Sequence, residues 1–161
     1  MVDIDGVISL FVSAGQMPFT AREDGTFQRI DGIPHFLSLG AAQHLLGLAG
    51  HFELVWASGW EEKADEYLPA LLGLPAGLPW LHFERSPGRG HAHWKLPAID
   101  AYAAGRALAW IDDAFNDACH EWAAARAAPT LLVQTAPERG LTATESDTLL
   151  AWARELSSSP A

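Results

Sequence analysis

Met1-Val2-Asp3-Ile4-Asp5-Gly6-Val7-Ile8 opens the chain with two carboxylates, two residues apart, inside an apolar run. A β-strand sends alternate side chains to opposite faces, so Asp3 and Asp5 share a face if the strand runs straight through both. Burying carboxylates is costly unless a cation or hydrogen bonds compensate them. The run therefore reads as a strand whose acids lie at its C-terminal edge, where a metal ion would compensate them.

Outward from that strand, apolar runs alternate with helical patterns. Phe19–Ile30, with Asp24-Gly25 inside it, predicts a small β-hairpin, because Asp-Gly suits the positive φ values of a type I′ turn. A helix is expected from Leu39 to Leu48, with Ser38 as N-cap and an apolar stripe of Leu39, Ala42, Leu46 and Ala49. His51–Ala57 reads as a second strand. A helix follows from Glu61 to about Leu72, with Pro69 predicted to kink or shorten it. Trp80–Phe83 is a third strand candidate, Ser86–Gly90 a loop, and Pro97 marks the first turn of another helix. Ala107–Ile111 predicts a buried strand closing at Asp112-Asp113. Phe115, Cys119, Trp122 and Ala123 form the apolar stripe of the next helix. Thr130–Gln134 is a fifth strand. The last helix has capping-box candidates at Thr142/Glu145 and Thr144/Asp147 and a tail from Ser157.

Five strands separated by helices predict one domain over residues 1–156, an α/β three-layer Rossmann-like sandwich with a mainly parallel five-stranded sheet and the hairpin as an insertion. Such sheets bind ligands beyond the carboxyl ends of their strands. The polar residues that need explaining fall there: Asp3 and Asp5, Ser58 after strand two, and Asp112 and Asp113 after strand four. Lys95 lies between them in sequence at a helix start.

Composition narrows the class. The chain has 161 residues, 49% of them hydrophobic, and a formal net charge of −10. That charge argues against an extended nucleic-acid footprint, which needs clustered Lys and Arg. The single cysteine, Cys119, allows no intrachain disulfide. Acids at positions 3 and 5 do not fit a secretory leader, and no apolar run approaches membrane-spanning length, so a cytoplasmic protein without membrane attachment is expected.

Four carboxylates around one crevice call for a cation, and hard oxygen ligands suit Mg²⁺. Lys95 supplies a local counter-charge, and Ser58 a hydroxyl for a phosphoryl oxygen. One acid of the opening pair is placed to attack phosphorus while the other delivers a proton. His91 and His93 have no third zinc ligand nearby and read as a polar loop lining the site. Gly59, Trp60 and Trp94 flank Ser58 and Lys95 as possible substrate contacts.

The order of these residues resembles the haloacid dehalogenase (HAD) superfamily. Its four motifs match Asp3-Ile4-Asp5-Gly6-Val7, then Ser58 in Val55-Trp56-Ala57-Ser58-Gly59, then Lys95 in Trp94-Lys95-Leu96-Pro97, then Trp110-Ile111-Asp112-Asp113. The resemblance implies a phosphatase acting on a phosphomonoester of a small molecule or of the end of a larger one. It makes Asp3 the nucleophile that becomes an aspartyl-phosphate and Asp5 the general acid and then base. Mg²⁺ would be held by Asp3, the Asp5 main-chain carbonyl, and the acidic pair, with Asp112 favoured over Asp113 as the direct ligand. Members that cleave carbon–halogen bonds lack the second Asp, so Asp5 points to phosphoryl chemistry. Only Met1 and Val2 precede Asp3, fewer than the family's usual first strand, so an earlier start or a clipped strand is expected. Neither inter-motif segment has room for a full cap domain. The first motif with Trp56-Ala57-Ser58-Gly59-Trp60-Glu61 is similar to HAD domains linked to RNA repair. Two other classes compete. A phosphorelay receiver uses the same residue types, but with the acid doublet first and the Lys last. A non-catalytic HAD-like phosphate- or nucleotide-binding module would keep the fold without turnover.

Overall fold

The apolar run Leu108–Asp112 (β4) and Thr130–Gln134 (β5) pair in parallel, from Leu108↔Thr130 to Asp112↔Gln134. Helix Asp117–Ala125 (here α4, in chain order) lies between them in sequence, the crossover that a parallel pair requires. These elements belong to a computed structural model that describes residues 1–11, 24–84 and 90–158. The other strands are β1 (Ser9–Leu10), β2 (Gly25–Ile30) and β3 (Ile33–Ser38), and the other helices are α1 (Leu39–Leu48), α2 (Lys63–Leu72), α3 (Leu96–Ala103) and α5 (Ala143–Ser158). No helix among the described residues is long and apolar enough to cross a membrane.

The fold is α/β with parallel strands, but its named ladders are shorter than the sequence predicts. The three earlier segments join through single parallel bridges: Val2 to Trp56 and Ile111, and Trp56 to Trp80. Each is flanked by its own hydrogen bonds, such as Val2 N–H to the Val55 carbonyl (2.9 Å) and Ala57 N–H to the Val2 carbonyl (2.8 Å). The opening segment leaves the extended path at once, because the Ile8 and Ser9 amides both turn back to the Ile4 carbonyl at 2.8 Å. The segment at Trp56 runs into a turn where Glu61 has φ +47°. Trp80 follows Pro79, which has no N–H to extend a ladder.

Alternation along these segments separates two apolar clusters. Val2, Ile4, Leu54, Trp56, Ala109, Ile111 and Val133 pack with α1, α2 and Leu149 of α5. Val55, Ala57, Leu108 and Trp110 pack with Ile99 of α3 and Cys119 of α4. Helices thus cover both faces, which leaves the ends of the segments as the place for polar chemistry.

The hairpin differs from expectation. β2 pairs with β3 antiparallel, from Gly25↔Ser38 to Ile30↔Ile33. The turn is Asp31-Gly32, with φ of +50° and +80°, the pair of positive values that a two-residue turn of this hand requires. Gly25 serves a different need: a Cβ there would sit 2.5 Å from the Leu37 carbonyl. Both Asp-Gly pairs carry the same local signal, and the cross-strand register decides between them. The first half of the expected hairpin, and the expected Ser86–Gly90 loop up to Arg89, lie outside the described residues, as does the tail beyond Ser158; Ser157 and Ser158, expected in that tail, end α5 instead.

Local signals placed the helices better than their buried faces. Ser38 caps α1, its hydroxyl accepting from the Ala41 amide at 3.1 Å. The α1 residues that are buried, however, are Ala41, Ala42, Leu45 and Leu48, whereas Leu46 is exposed. The true stripe is offset from the expected one by about one residue. α2 runs through Pro69 to Leu72 and ends at Gly73 in the left-handed region, so the proline does not stop it. Pro97 occupies the first turn of α3 as expected. Phe115 is buried but precedes α4, in which Cys119 is the buried residue. Thr142 and Glu145 form the cap of α5: the Thr142 amide donates to Glu145 Oε2 at 2.9 Å, and its hydroxyl donates to the same oxygen.

Candidate active site

The parallel register carries Asp3 beside Asp112. Asp3 N–H donates to the Ile111 carbonyl at 3.0 Å, so each acid directly follows one partner of the Val2–Ile111 bridge. Lys95, the last residue of a 3₁₀ turn over Ala92–Lys95, reaches both. Its Nζ lies 2.9 Å from Asp3 Oδ2 and 2.7 Å from Asp112 Oδ2. Lys95 is 4% exposed, Asp3 6% and Asp112 0%, so an ammonium and two carboxylates are buried together. Burial pushes the Lys95 ammonium down, but the charges and hydrogen bonds of Asp3 and Asp112 outweigh it, and the net shift is upward.

Asp113 joins from the next position. Asp3, Asp112 and Asp113 each offer a carboxylate oxygen within 4.8 Å of the others, the one such metal-competent group among the described residues. Gly6 makes room for Asp113: it has φ +71°, and a Cβ there would fall 2.3 Å from Asp113 Cγ. The turn that carries Gly6 is pinned by the buried Thr135 hydroxyl, which donates to the Gly6 carbonyl at 2.8 Å. The Asp112 oxygens are both engaged, Oδ2 by Lys95 and Oδ1 by the Ala114 amide at 3.0 Å. Asp113 is only partly buried.

Asp5 stands apart from this trio. Its Oδ2 accepts from Trp60 Nε1 at 3.1 Å, and its Oδ1 lies 3.9 Å from His35 Nδ1. Burial, and then the charge of Asp3, raises its carboxyl above the usual range. Ser58 follows the Trp56 bridge on the segment next to Asp3 and is 1% exposed; its Oγ has no hydrogen-bond partner among the described residues. A buried hydroxyl without a partner costs about 1–3 kcal/mol, a cost that a bound acceptor would partly offset.

The expected substrate contacts divide. Trp60 is already engaged with Asp5. Trp94 packs edge-on to Phe83 at 4.6 Å between centroids, with Lys95 Nζ 5.6 Å from its ring, and a Cβ on Gly59 would touch it at 3.9 Å. His91 and His93 are exposed, their rings 6.4 Å apart, and His93 Nδ1 meets Asn116 Nδ2 at 3.1 Å. They are outside the carboxylate trio. His35, Ser9 and Thr135 were not singled out from sequence. Thr135 had a usable signal, since it directly follows β5 at the same end of the parallel pair. A cavity of about 440 Å³ opens elsewhere, beside Met1, Leu54, Tyr102, Ala109 and Leu149, and none of the candidate residues lines it.

The crowded carboxylates have a measurable consequence. Burial and then Asp3 push Asp112 up to about 7, and the same causes push Asp113 up to about 6. Unfolded aspartates titrate near pH ~3.9. Between about pH 4 and 7 these two groups hold protons in the folded chain that they release in the unfolded chain, so their contribution to stability falls as pH rises. The buried Met1 amine, lowered to about 5, works the other way above that pH, so the carboxylates are read by difference. Asp113→Asn is expected to raise the melting temperature of the ion-free protein more at pH 7.5 than at pH 5, as read by differential scanning calorimetry. An equal change at the two values would contradict this.

The donor set also fits a hard divalent cation: carboxylate oxygens only, one of them on a partly exposed residue, with the sole cysteine elsewhere in α4. No family model matches the chain, and no curated protein or solved structure shows significant similarity to it.

Proposed function

We propose that the protein is a Mg²⁺-dependent phosphatase of the HAD type, built on a Rossmann-like sheet of five parallel segments and cleaving a phosphomonoester through an aspartyl-phosphate on Asp3. The observation that carries this reading is the meeting of Asp3, Lys95, Asp112 and Asp113, drawn from three distant parts of the chain, with the orphaned Ser58 hydroxyl on the neighbouring segment.

Asp3 attacks phosphorus, forming an Oδ–P bond as the P–O ester bond breaks. Asp5 gives its proton to the departing oxygen, and its raised affinity for that proton favours it over an ordinary carboxyl as the acid. Asp5, now a carboxylate, removes a proton from water as the water attacks phosphorus. The Asp3–phosphate bond breaks, releasing phosphate and restoring both acids. Lys95 holds the Asp3 carboxylate in place, and Ser58 donates to a phosphoryl oxygen. Asp3, Asp113 and the Asp5 main-chain carbonyl would hold Mg²⁺. Asp113 is preferred to Asp112 as the direct ligand because both Asp112 oxygens already have partners. The ion, when bound, would supply Lewis-acid polarisation and neutralise phosphoryl charge. The small hairpin suits an open site, and so a phosphate on a small molecule or at the end of a larger one.

Purified protein is expected to hydrolyse p-nitrophenyl phosphate with added Mg²⁺ and to lose that activity in EDTA. Turnover that persists in EDTA would overturn the mechanism. Phosphate binding without any turnover would favour the non-catalytic module.

A further inference from the structure

Trp60 and His35 reach Asp5 from two separate elements, the turn before α2 and strand β3. The Trp60 indole N–H donates to Asp5 Oδ2 at 3.1 Å. The His35 ring meets the indole edge-on, with centroids 4.8 Å apart. His35 is fixed in turn by Ser9, whose buried hydroxyl lies 2.8 Å from His35 Nδ1. At 3.9 Å from Asp5 Oδ1, that nitrogen is too far for a hydrogen bond.

We propose that Trp60 is a positioning residue for the general acid, selecting which Asp5 oxygen carries the proton, and that His35 holds its ring in place. This rests on the phosphatase reading above. An indole nitrogen is a donor only. Its hydrogen bond is best accepted by the carbonyl oxygen of a carboxylic acid, so with Trp60 on Oδ2 the transferable proton sits on Oδ1. That proton passes from Oδ1 to the ester oxygen as the P–O bond breaks, leaving Asp5 as a carboxylate that keeps the Trp60 hydrogen bond. Without the indole N–H, the carboxyl rotates freely and the proton is shared between two oxygens, only one of which faces the leaving group.

The test is leaving-group dependence in Trp60→Phe, with kcat and KM measured separately for phenyl phosphate and p-nitrophenyl phosphate. Phenolate is the poorer leaving group and needs the proton more. The expected loss in kcat/KM is about tenfold to a hundredfold for phenyl phosphate and under about threefold for p-nitrophenyl phosphate, with KM nearly unchanged for both, because general acid help scales with leaving-group basicity. An equal loss on both substrates, or one carried by KM, would overturn the proposal and make Trp60 a packing or substrate-contact residue. Should Trp60→Phe fail to fold, β-(3-benzothienyl)alanine at position 60 alone keeps the ring shape and removes only the N–H, and the same pattern is expected. A wild-type protein inactive on both esters would overturn the phosphatase reading and this inference with it. Wild-type activity with a flat variant profile would overturn this inference alone.

Discussion

Asp3→Asn is expected to reduce aryl phosphate hydrolysis by about 10⁴-fold or more, since it removes the nucleophile itself. The fold should survive: Lys95 keeps its 2.7 Å contact with Asp112, and Asn retains the shape of Asp. Removing the Asp3 charge also removes a cause that raises Asp112, Asp113 and Asp5, so the variant's melting temperature relative to wild type should rise from pH 5 to 7.5. Acid-quenched wild-type enzyme treated with borohydride during turnover should carry homoserine at position 3, readable by mass spectrometry. A variant with full activity, or a modification found elsewhere, would remove Asp3 from the role of nucleophile.

Lys95→Met has the largest expected effect on stability. Lys95 is the ammonium shared by two carboxylates that are 8% and 0% exposed at the side chain. Removing one partner of a buried ionic cluster leaves the others uncompensated and costs about 3–5 kcal/mol. For a domain of this size that corresponds to a drop in melting temperature of roughly 6–20 °C. The drop should be smaller at pH 5 than at pH 7.5, because Asp112 is then protonated and has less charge left unpaired. A melting temperature within about 2 °C of wild type at pH 7.5 would show that the cluster is not held by Lys95.

Much of this site was legible because Asp3 and Asp5 interrupt an apolar run and Asp112 and Asp113 close one. The ends of parallel segments gather by topology alone. The bounds of α1 were legible because Ser38 marks its start. Its buried face was not, since apolar residues lie on two stripes and only the packing of Leu45 and Leu48 chooses between them. The hairpin turn was misplaced because Asp24-Gly25 and Asp31-Gly32 are chemically alike, and the Leu37 carbonyl above Gly25 is a tertiary fact. The partnership of Trp60 with Asp5 was hidden for the same kind of reason. It joins residues 55 positions apart through a turn whose direction no local pattern specifies.

The hairpin is fastened at two points. Asp31, at its turn, pairs with Lys63 in the first turn of α2, and His35, on β3, rests against Trp60 just upstream of that helix. Hairpin and helix entrance therefore meet at two contacts, and Trp60, a partner in one of them, also holds Asp5. For anyone recombining this scaffold, the hairpin is not an interchangeable module. Transplanting a foreign loop between residues 25 and 38 would strip the support from Trp60, so residues 60–63 would have to travel with it as a single cassette.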